Sequence, residues 1–373
     1  MSIQAYVSTD IILDIMNNTA QPQELIELTK LQEKLTGASL PDDLRDKATA
    51  MIVQASLSYK YNGQLSGFEQ AAKYIDWIVN IPWMKRSSDL LDIVQAKQVL
   101  DKYHYGLEQI KDRILEYLSV MKLNLTQTNQ DKNVHNFMRA PILFFVGLVG
   151  TGKTTIAASI AQAMQRTFVR IPFGGMGSAL DLRGQSRIHP DAEVGQLIKA
   201  LKRAGTKNPV ILLDEIDRVA DHARADIMGV LIEILDPEQN AAFVDHFIDY
   251  PFDLSEVLFI ATANNTTNVS TAVMDRLEPI QMPSYNDEEK IVIGKSYVFP
   301  KVIVNSGLNG SQLQIDDEVW SLIVRPLGFD SGIRTLERTI NGICRKVARM
   351  IVENKGNSFH ITGENIKQFL PKW

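Results

Sequence analysis

Cysteine is nearly absent from the 373 residues: Cys344 stands alone, so no intrachain disulfide can form. That fits a reducing compartment. Ile343 and Val347 flank the thiol at helical spacing, and a buried, inert cysteine is expected. The six histidines are scattered and show neither H-E-x-x-H nor Cys/His ligand spacing, so no transition-metal site is expected. No apolar run reaches the roughly 20 residues that span a bilayer, and the N-terminus has no basic-then-apolar export pattern. The expectation is therefore a cytoplasmic chain without membrane contact. Basic excess is missing too: Lys and Arg total 39 against 44 Asp and Glu, a net charge of −5, so nucleic acid is not an expected partner. What is present is the composition of an ordinary globular protein, long enough for two or three domains.

The clearest local signal is Gly147-Leu148-Val149-Gly150-Thr151-Gly152-Lys153-Thr154, which fits the phosphate-binding pattern G-x-x-x-x-G-K-[ST]. Its glycines allow a sharp turn that aims several N–H groups at one anion. Lys153 would reach the β- and γ-phosphates of ATP, and the Thr154 hydroxyl would bind Mg²⁺. The apolar run Ile142 to Val146 before it reads as a buried parallel strand, and Ile156, Ile160 and Met164 after it follow a helical period. The loop thus opens a helix, whose N-terminal partial charge adds to the phosphate site.

Residues 1–95 read as helical. Leu28, Leu31 and Leu35 form a stripe that Gly37 ends, and Leu44, Ala48, Met51, Ile52 and Ala55 continue a second buried face behind Asp42 and Asp43. The leucine stripe is too short for a sustained coiled coil, so a local bundle is expected. A third helix over 67–79 is stopped by Pro82, and two more fill 89–123 around Tyr103 to Gly106. Asn124 to Asn136 has no apolar period and reads as a solvated loop. Strands (167–171, 210–213, 257–263) then alternate with helices (194–204, 228–235), which indicates a parallel sheet covered on both faces. From Asn286 the spacing is helical again, with one long stripe from Leu336 to Ile351 and a short strand near 358–361. The expected domains are 1–95, 96–284 and 285–373.

The apolar run Val210 to Leu213 ends in Asp214-Glu215, about sixty residues after the P-loop. A strand tip there would present Asp214 to Mg²⁺ and Glu215 to the attacking water. One hydroxyl and one carboxylate suffice for an ion that keeps most of its waters.

Taken together, Gly147 to Thr155, Leu212 to Asp217, Leu235-Asp-Pro-Glu-Gln-Asn240 and Ala261 to Asn264 resemble the AAA+ module of the Lon protease family. So do Tyr74 to Trp83, His104 to Leu107, Lys111 to Tyr117 and Gly332 to Arg338, a likeness running from about Leu31 to Trp373. The resemblance implies an α/β P-loop core of AAA+ type, preceded by a helical segment and followed by a small helical lid. It makes Asn264 sensor 1, Arg276 an arginine finger acting in a neighbouring subunit and Arg334 sensor 2 on the lid. Tyr105 and Gly106 fall where the family lines its adenine pocket. It also implies protein substrates and a homo-oligomeric, hexameric ring, with ATP hydrolysis driving their unfolding.

Three departures accompany the likeness. The family's Ser–Lys protease domain would begin about where this chain ends, so peptidase activity is not expected from these residues, and a protease partner would act in trans. The N-terminal part is short beside the family's. After Arg183-Gly184, His189 and Pro190 take the places of the aromatic–aliphatic pair that grips substrate in the central pore. Two other readings stay open: a nucleotide-switched binding module that does not thread polypeptide, and a piece of a full-length Lon protease.

Overall fold

The computed structural model describes residues 23–62, 68–128, 142–189, 191–325 and 332–371. Helices α1 (Gln23–Gly37), α2 (Asp42–Asn62) and α3 (Phe68–Asn80) come first. They bury Leu31, Leu35, Leu44, Ala48 and Ile52, largely as the apolar spacing requires. Past Pro82, the Trp83 ring donates its Nε1–H to the Ile78 carbonyl at 2.7 Å and folds back on α3. Asp92 caps α4 (Ile93–Tyr103), and α5 (Glu108–Thr128) follows. Residues 124–128, expected as loop, prolong α5. Extending an established helix costs far less than starting one, so polar composition alone does not stop it. The rest of the expected loop lies outside the described residues.

Five parallel strands form the central sheet in the order β2-β3-β6-β1-β7. They are β1 (Ile142–Val146), β2 (Phe168–Pro172), β3 (Val210–Asp214), β6 (Leu258–Ala263) and β7 (Leu277–Gln281). The period-2 alternation of the strands sends neighbouring side chains to opposite faces. Phe144, Val146, Ile211 and Leu213 join a core with α8 (Gln196–Ala204) and α9 (Arg224–Leu235), and this core continues into α1–α3. Leu143, Phe145, Val210 and Leu212 join a second core with α4, α5 and α6 (Lys153–Ala163). The short α7 (Leu180–Arg183), the antiparallel pair β4 (Phe243–Val244) and β5 (Pro251–Phe252), and α10 (Thr271–Met274) lie in the connections.

β7 was not visible in the sequence pattern. It carries an exposed Pro279, which an edge strand tolerates because its outer N–H has no ladder to serve.

The C-terminal part has its own core around Trp320, Ile340, Ile343 and Val347. It comprises α11 (Asp287–Ile293), a π-helical turn Gly294–Val298, α12 (Phe299–Asn305), β8 (Leu313–Ile315), α13 (Trp320–Val324), α14 (Arg334–Val352), β9 (Phe359–Ile361) and α15 (Ile366–Phe369). The expected strand near 358–361 is β9, paired in parallel with β8. Cys344 is buried in this core, and burial pushes its thiol up to about 11. Among the described residues, no helix is long and apolar enough to cross a membrane.

Candidate nucleotide site

β1, β6 and β3 are adjacent in the sheet, so their carboxyl ends bring the P-loop, Asn264 and Asp214 together although the sequence separates them. A cleft of ≈ 490 Å³ opens there, lined by Val149, Gly150, Gly152, Lys153, Thr154, Thr155, Asp214, Glu215 and Asn264, with Arg334 from the lid and Tyr105 from the α4–α5 turn. That volume suits a nucleotide-sized ligand.

Lys153 is the first residue of α6, and only 7% of it is exposed. Its Nζ donates to the carbonyls of Gly147 (2.6 Å) and Leu148 (3.0 Å) and to Asn264 Oδ1 (3.2 Å). Burial lowers the ammonium's pKa, and the nearby carboxylates of Asp214, Glu215 and Asp217 pull it back up. Thr151 Oγ1 donates to the Leu148 carbonyl at 2.9 Å, so Gly147, Leu148 and Thr151 shape the loop without lining the cleft. Gly150 and Gly152 adopt φ of +85° and +94°, which side chains other than glycine rarely accept.

Asp214 is buried, and both carboxylate oxygens are engaged: the Thr262 hydroxyl donates to one and Arg170 Nε to the other. The same Thr262 oxygen accepts the Glu215 N–H at 2.9 Å. Glu215 itself sits at φ +59°, ψ +51°, a left-handed conformation that costs a glutamate on the order of 1–3 kcal/mol. The strain turns the chain sharply after Asp214 and sets both carboxylates at the cleft.

Asp217 accepts the N–H groups of Asn264 (3.1 Å) and Asn265 (3.4 Å) and so fixes the tip of β6. Asn264 Nδ2 is buried without a partner among the described residues, a donor left for a ligand or water in the cleft.

The lid closes the site from above. Ile333 donates its N–H to the Gly150 carbonyl at 3.0 Å. A side-chain carbon on Gly332 would meet the Val149 carbonyl oxygen at 2.5 Å, so only glycine permits this approach. Tyr285 completes the contact, donating its hydroxyl to the Thr151 carbonyl at 3.3 Å. On the Tyr105 side, His104 Nε2 lies 2.8 Å from Ser159 Oγ of α6, and Tyr297 faces the Tyr105 ring with centroids 6.5 Å apart. Gly106, at φ +63°, makes the turn there but does not line the cleft.

Arg276 is not in the cleft. It precedes β7 at the opposite end of the sheet, and its guanidinium binds Asp236 Oδ2 (2.8 Å) and the Ala272 carbonyl (2.8 Å). Outside the cleft too, the segment after Arg183-Gly184 is held by the N-terminal helices. Arg187 stacks on Tyr74 at 4.1 Å, and Lys73 donates to the Ala192 carbonyl at 2.8 Å. His189 is exposed at the tip, and Ile188 beside it is 88% exposed, an apolar residue the sequence reading passed over. Pro190 lies outside the described residues.

Arg170, Thr262, Asp217, His104 and Tyr297 were not read as site residues. Their roles come from strand register and chain return. Asp217 and Thr262 carried a signal, being inside the motif stretches at the ends of β3 and β6, and so did His104, which opens the His104–Leu107 stretch.

Two family models match the chain. Residues 143–285 match the ATPase family associated with various cellular activities (AAA), and residues 304–359 match the Lon protease AAA+ ATPase lid domain. Among curated proteins, the chain is 42% identical to Lon protease of Lawsonia intracellularis over 344 residues, which is 92% of this chain and 40% of that protein. It is 39% identical over 345 residues to Lon protease 2 of Thermus thermophilus, covering 92% of this chain and 42% of that one. Against Lon protease of Desulforamulus reducens it is 43% identical over 297 residues, 80% of this chain and 35% of the relative. The chain therefore spans about 40% of the length of such relatives. It belongs to the Lon protease family as an AAA+ ATPase module, an α/β P-loop domain followed by the Lon-type lid.

Proposed function

We propose that this module binds ATP with Mg²⁺ in the cleft and hydrolyses it within a homo-oligomeric, hexameric ring. The cycle would remodel or unfold protein substrates in the cytoplasm and feed them to a protease domain. The observation that carries this reading is the convergence on one cleft of a buried lysine, an aspartate–glutamate pair and an asparagine with a free donor, under an arginine from the lid.

In this reading Lys153 neutralises the β- and γ-phosphates, and the loop N–H groups and the α6 N-terminus cradle them. Asp214 and Thr154 share the cleft and offer the hard oxygen donors that Mg²⁺ takes, so they would hold it with waters completing the shell. When bound, the ion would offset the charge of the phosphate oxygens. Glu215, held in its strained turn, accepts a hydrogen bond from the attacking water and aligns it with the γ-phosphate. Asn264 positions that water with its free Nδ2–H. Arg334 meets the phosphates from the lid, and Arg276 serves the site of a neighbouring copy. Tyr105, beside Tyr297, borders the base end of the cleft.

The test separates binding from turnover. Lys153→Ala is expected to abolish ATP binding, and Glu215→Gln to keep binding and lose turnover, because an amide cannot take up the water's proton. Hydrolysis by Glu215→Gln at the parental rate contradicts the assignment.

A second reading, a nucleotide-switched binding module, draws on the exposed tip that carries His189 where the family has an aromatic residue. It predicts nucleotide-dependent partner binding without substrate unfolding.

A further inference from the structure

The segment Leu235-Asp-Pro-Glu-Gln-Asn240 marks the chain's resemblance to its family, yet none of its residues lines the ATP cleft. It turns the chain at the end of α9. Asp236 is the C-cap of that helix, in an extended conformation with φ −87° and ψ 118°. Its Oδ1 accepts the Glu238 N–H at 2.9 Å, and its carbonyl accepts the N–H groups of Gln239 (3.1 Å) and Asn240 (2.9 Å). Asn240 is buried and locks the turn to its surroundings. Its Nδ2 donates to the Ile234 carbonyl at 3.3 Å, and its own carbonyl accepts the Leu254 N–H at 3.0 Å. A fixed turn thus presents one carboxylate oxygen, Asp236 Oδ2, at a fixed place.

That oxygen accepts a long hydrogen bond from Gln239 Nε2 (3.4 Å) and a shorter one from Arg276. Nη2 donates to it at 2.8 Å, while Nη1 donates to the Ala272 carbonyl at 2.8 Å. The pair is partly sheltered, with side chains 28% and 18% exposed, and the Arg276 hydrogen bond holds the Asp236 carboxyl below the usual carboxylate range. A guanidinium has five N–H donors, so among the described residues these two partners leave three free.

Arg276 cannot use them in its own cleft. Leu277 pairs with Ile142 and Gln281 with Val146, so six strand steps, about 20 Å, separate Arg276 from the level of Gly147 at the start of its own P-loop.

We propose that Asp236 is the positioning residue for Arg276, clamping one edge of the guanidinium so that its free donors are presented to the phosphates bound by an adjoining copy of this chain. This rests on the in-trans role given to Arg276 above. It gives the Leu235–Asn240 turn a mechanical purpose: a rigid arginine loses less entropy on meeting the transition state than a free one, and a displacement of about 1 Å can cost roughly 10²-fold in rate.

The experiment uses the full chain and four variants: Asp236→Asn, Arg276→Ala, their double, and Lys153→Ala. Asn at 236 keeps an acceptor for the Glu238 N–H and removes the charge. Nucleotide affinity is read with a fluorescent ATP analogue, assembly by light scattering, and turnover by phosphate release. Asp236→Asn is expected to lower kcat about 10²-fold with affinity and assembly unchanged. The double variant is expected to be no slower than Arg276→Ala, because both changes act through one group. Mixing Asp236→Asn with Lys153→Ala is expected to restore turnover, since the Lys153→Ala subunits supply an intact Asp236–Arg276 pair to sites with an intact Lys153. A merely misfolded Asp236→Asn subunit would not be rescued. Parental kcat in Asp236→Asn beside a slow Arg276→Ala overturns the inference and leaves the arginine's role standing. Parental kcat in Arg276→Ala overturns both. A double variant much slower than Arg276→Ala, or no rescue on mixing, also overturns the inference.

Discussion

His104 gives a stability prediction with a definite sign. The imidazole is 6% exposed, lies 2.8 Å from Ser159 Oγ and faces the Lys111 ammonium, itself paired with Asp101 and Glu108. Burial, and then the Lys111 charge, bring its pKa from 6.5 down to about 4. In the unfolded chain the ring returns to its ordinary value, so the unfolded state binds the proton more tightly. Stability supplied by the neutral ring is therefore whole above pH 6.5 and is lost as pH falls toward 4. A shift of that size corresponds to about 3 kcal/mol in full, of which about 2 kcal/mol is gone by pH 5. The assay is urea unfolding at pH 7 and pH 5 of the parent and of His104→Gln, which can still hydrogen-bond Ser159 but cannot ionise. Carboxylates titrate alike in both proteins, so the difference between the two pH dependences isolates the imidazole. The parent is expected to lose about 2 kcal/mol more than the variant between these pH values. Equal losses would refute the claim that a buried neutral His104 supports this wall of the cleft.

Other expectations follow from particular contacts. Gly332→Ala places a carbon 2.5 Å from the Val149 carbonyl oxygen, so the lid must lift from the P-loop and carry Arg334 with it. Turnover is expected to fall by about 10²-fold while the lid's own melting is unchanged, read by phosphate release and calorimetry. Replacing His189 with Tyr and Pro190 with Ile should raise ATP-dependent unfolding of a tagged substrate, because a broad apolar surface beside the exposed Ile188 improves grip. No gain, at unchanged ATPase rate, would favour the switch reading.

How much could be read in advance follows from how local each signal is. The P-loop was legible because strand, glycine turn and helix lie within about twenty consecutive residues. Asp214 and Glu215 were legible as the polar end of an apolar run. β7 was not, since Pro279 interrupts its apolar run, and only its place at the sheet edge makes that composition workable. Residues 124–128 were misread because a helix already nucleated carries polar residues along. Arg170 reaches Asp214 from a neighbouring strand, and Tyr285 and Ile333 reach the P-loop from beyond the sheet. Such contacts are products of topology and have no sequence period. Arg276 is the reverse case: its motif suggested a catalytic arginine, and the geometry places it too far from its own P-loop to act there.

The measurement that bears most directly on a composite ATP site is subunit mixing. Lys153→Ala leaves Arg276 intact, and Arg276→Ala leaves Lys153 intact. Each alone is expected to hydrolyse ATP poorly, the first for want of bound nucleotide and the second for want of the arginine that offsets transition-state charge. In a mixed assembly, an intact Lys153 can face an intact Arg276 on the neighbouring subunit. The account predicts that ATPase activity returns when the two nearly inactive proteins are mixed, and that parental specific activity rises with protein concentration as subunits associate. A mixture that stays inactive despite demonstrated co-assembly, with parental activity independent of concentration, would contradict it.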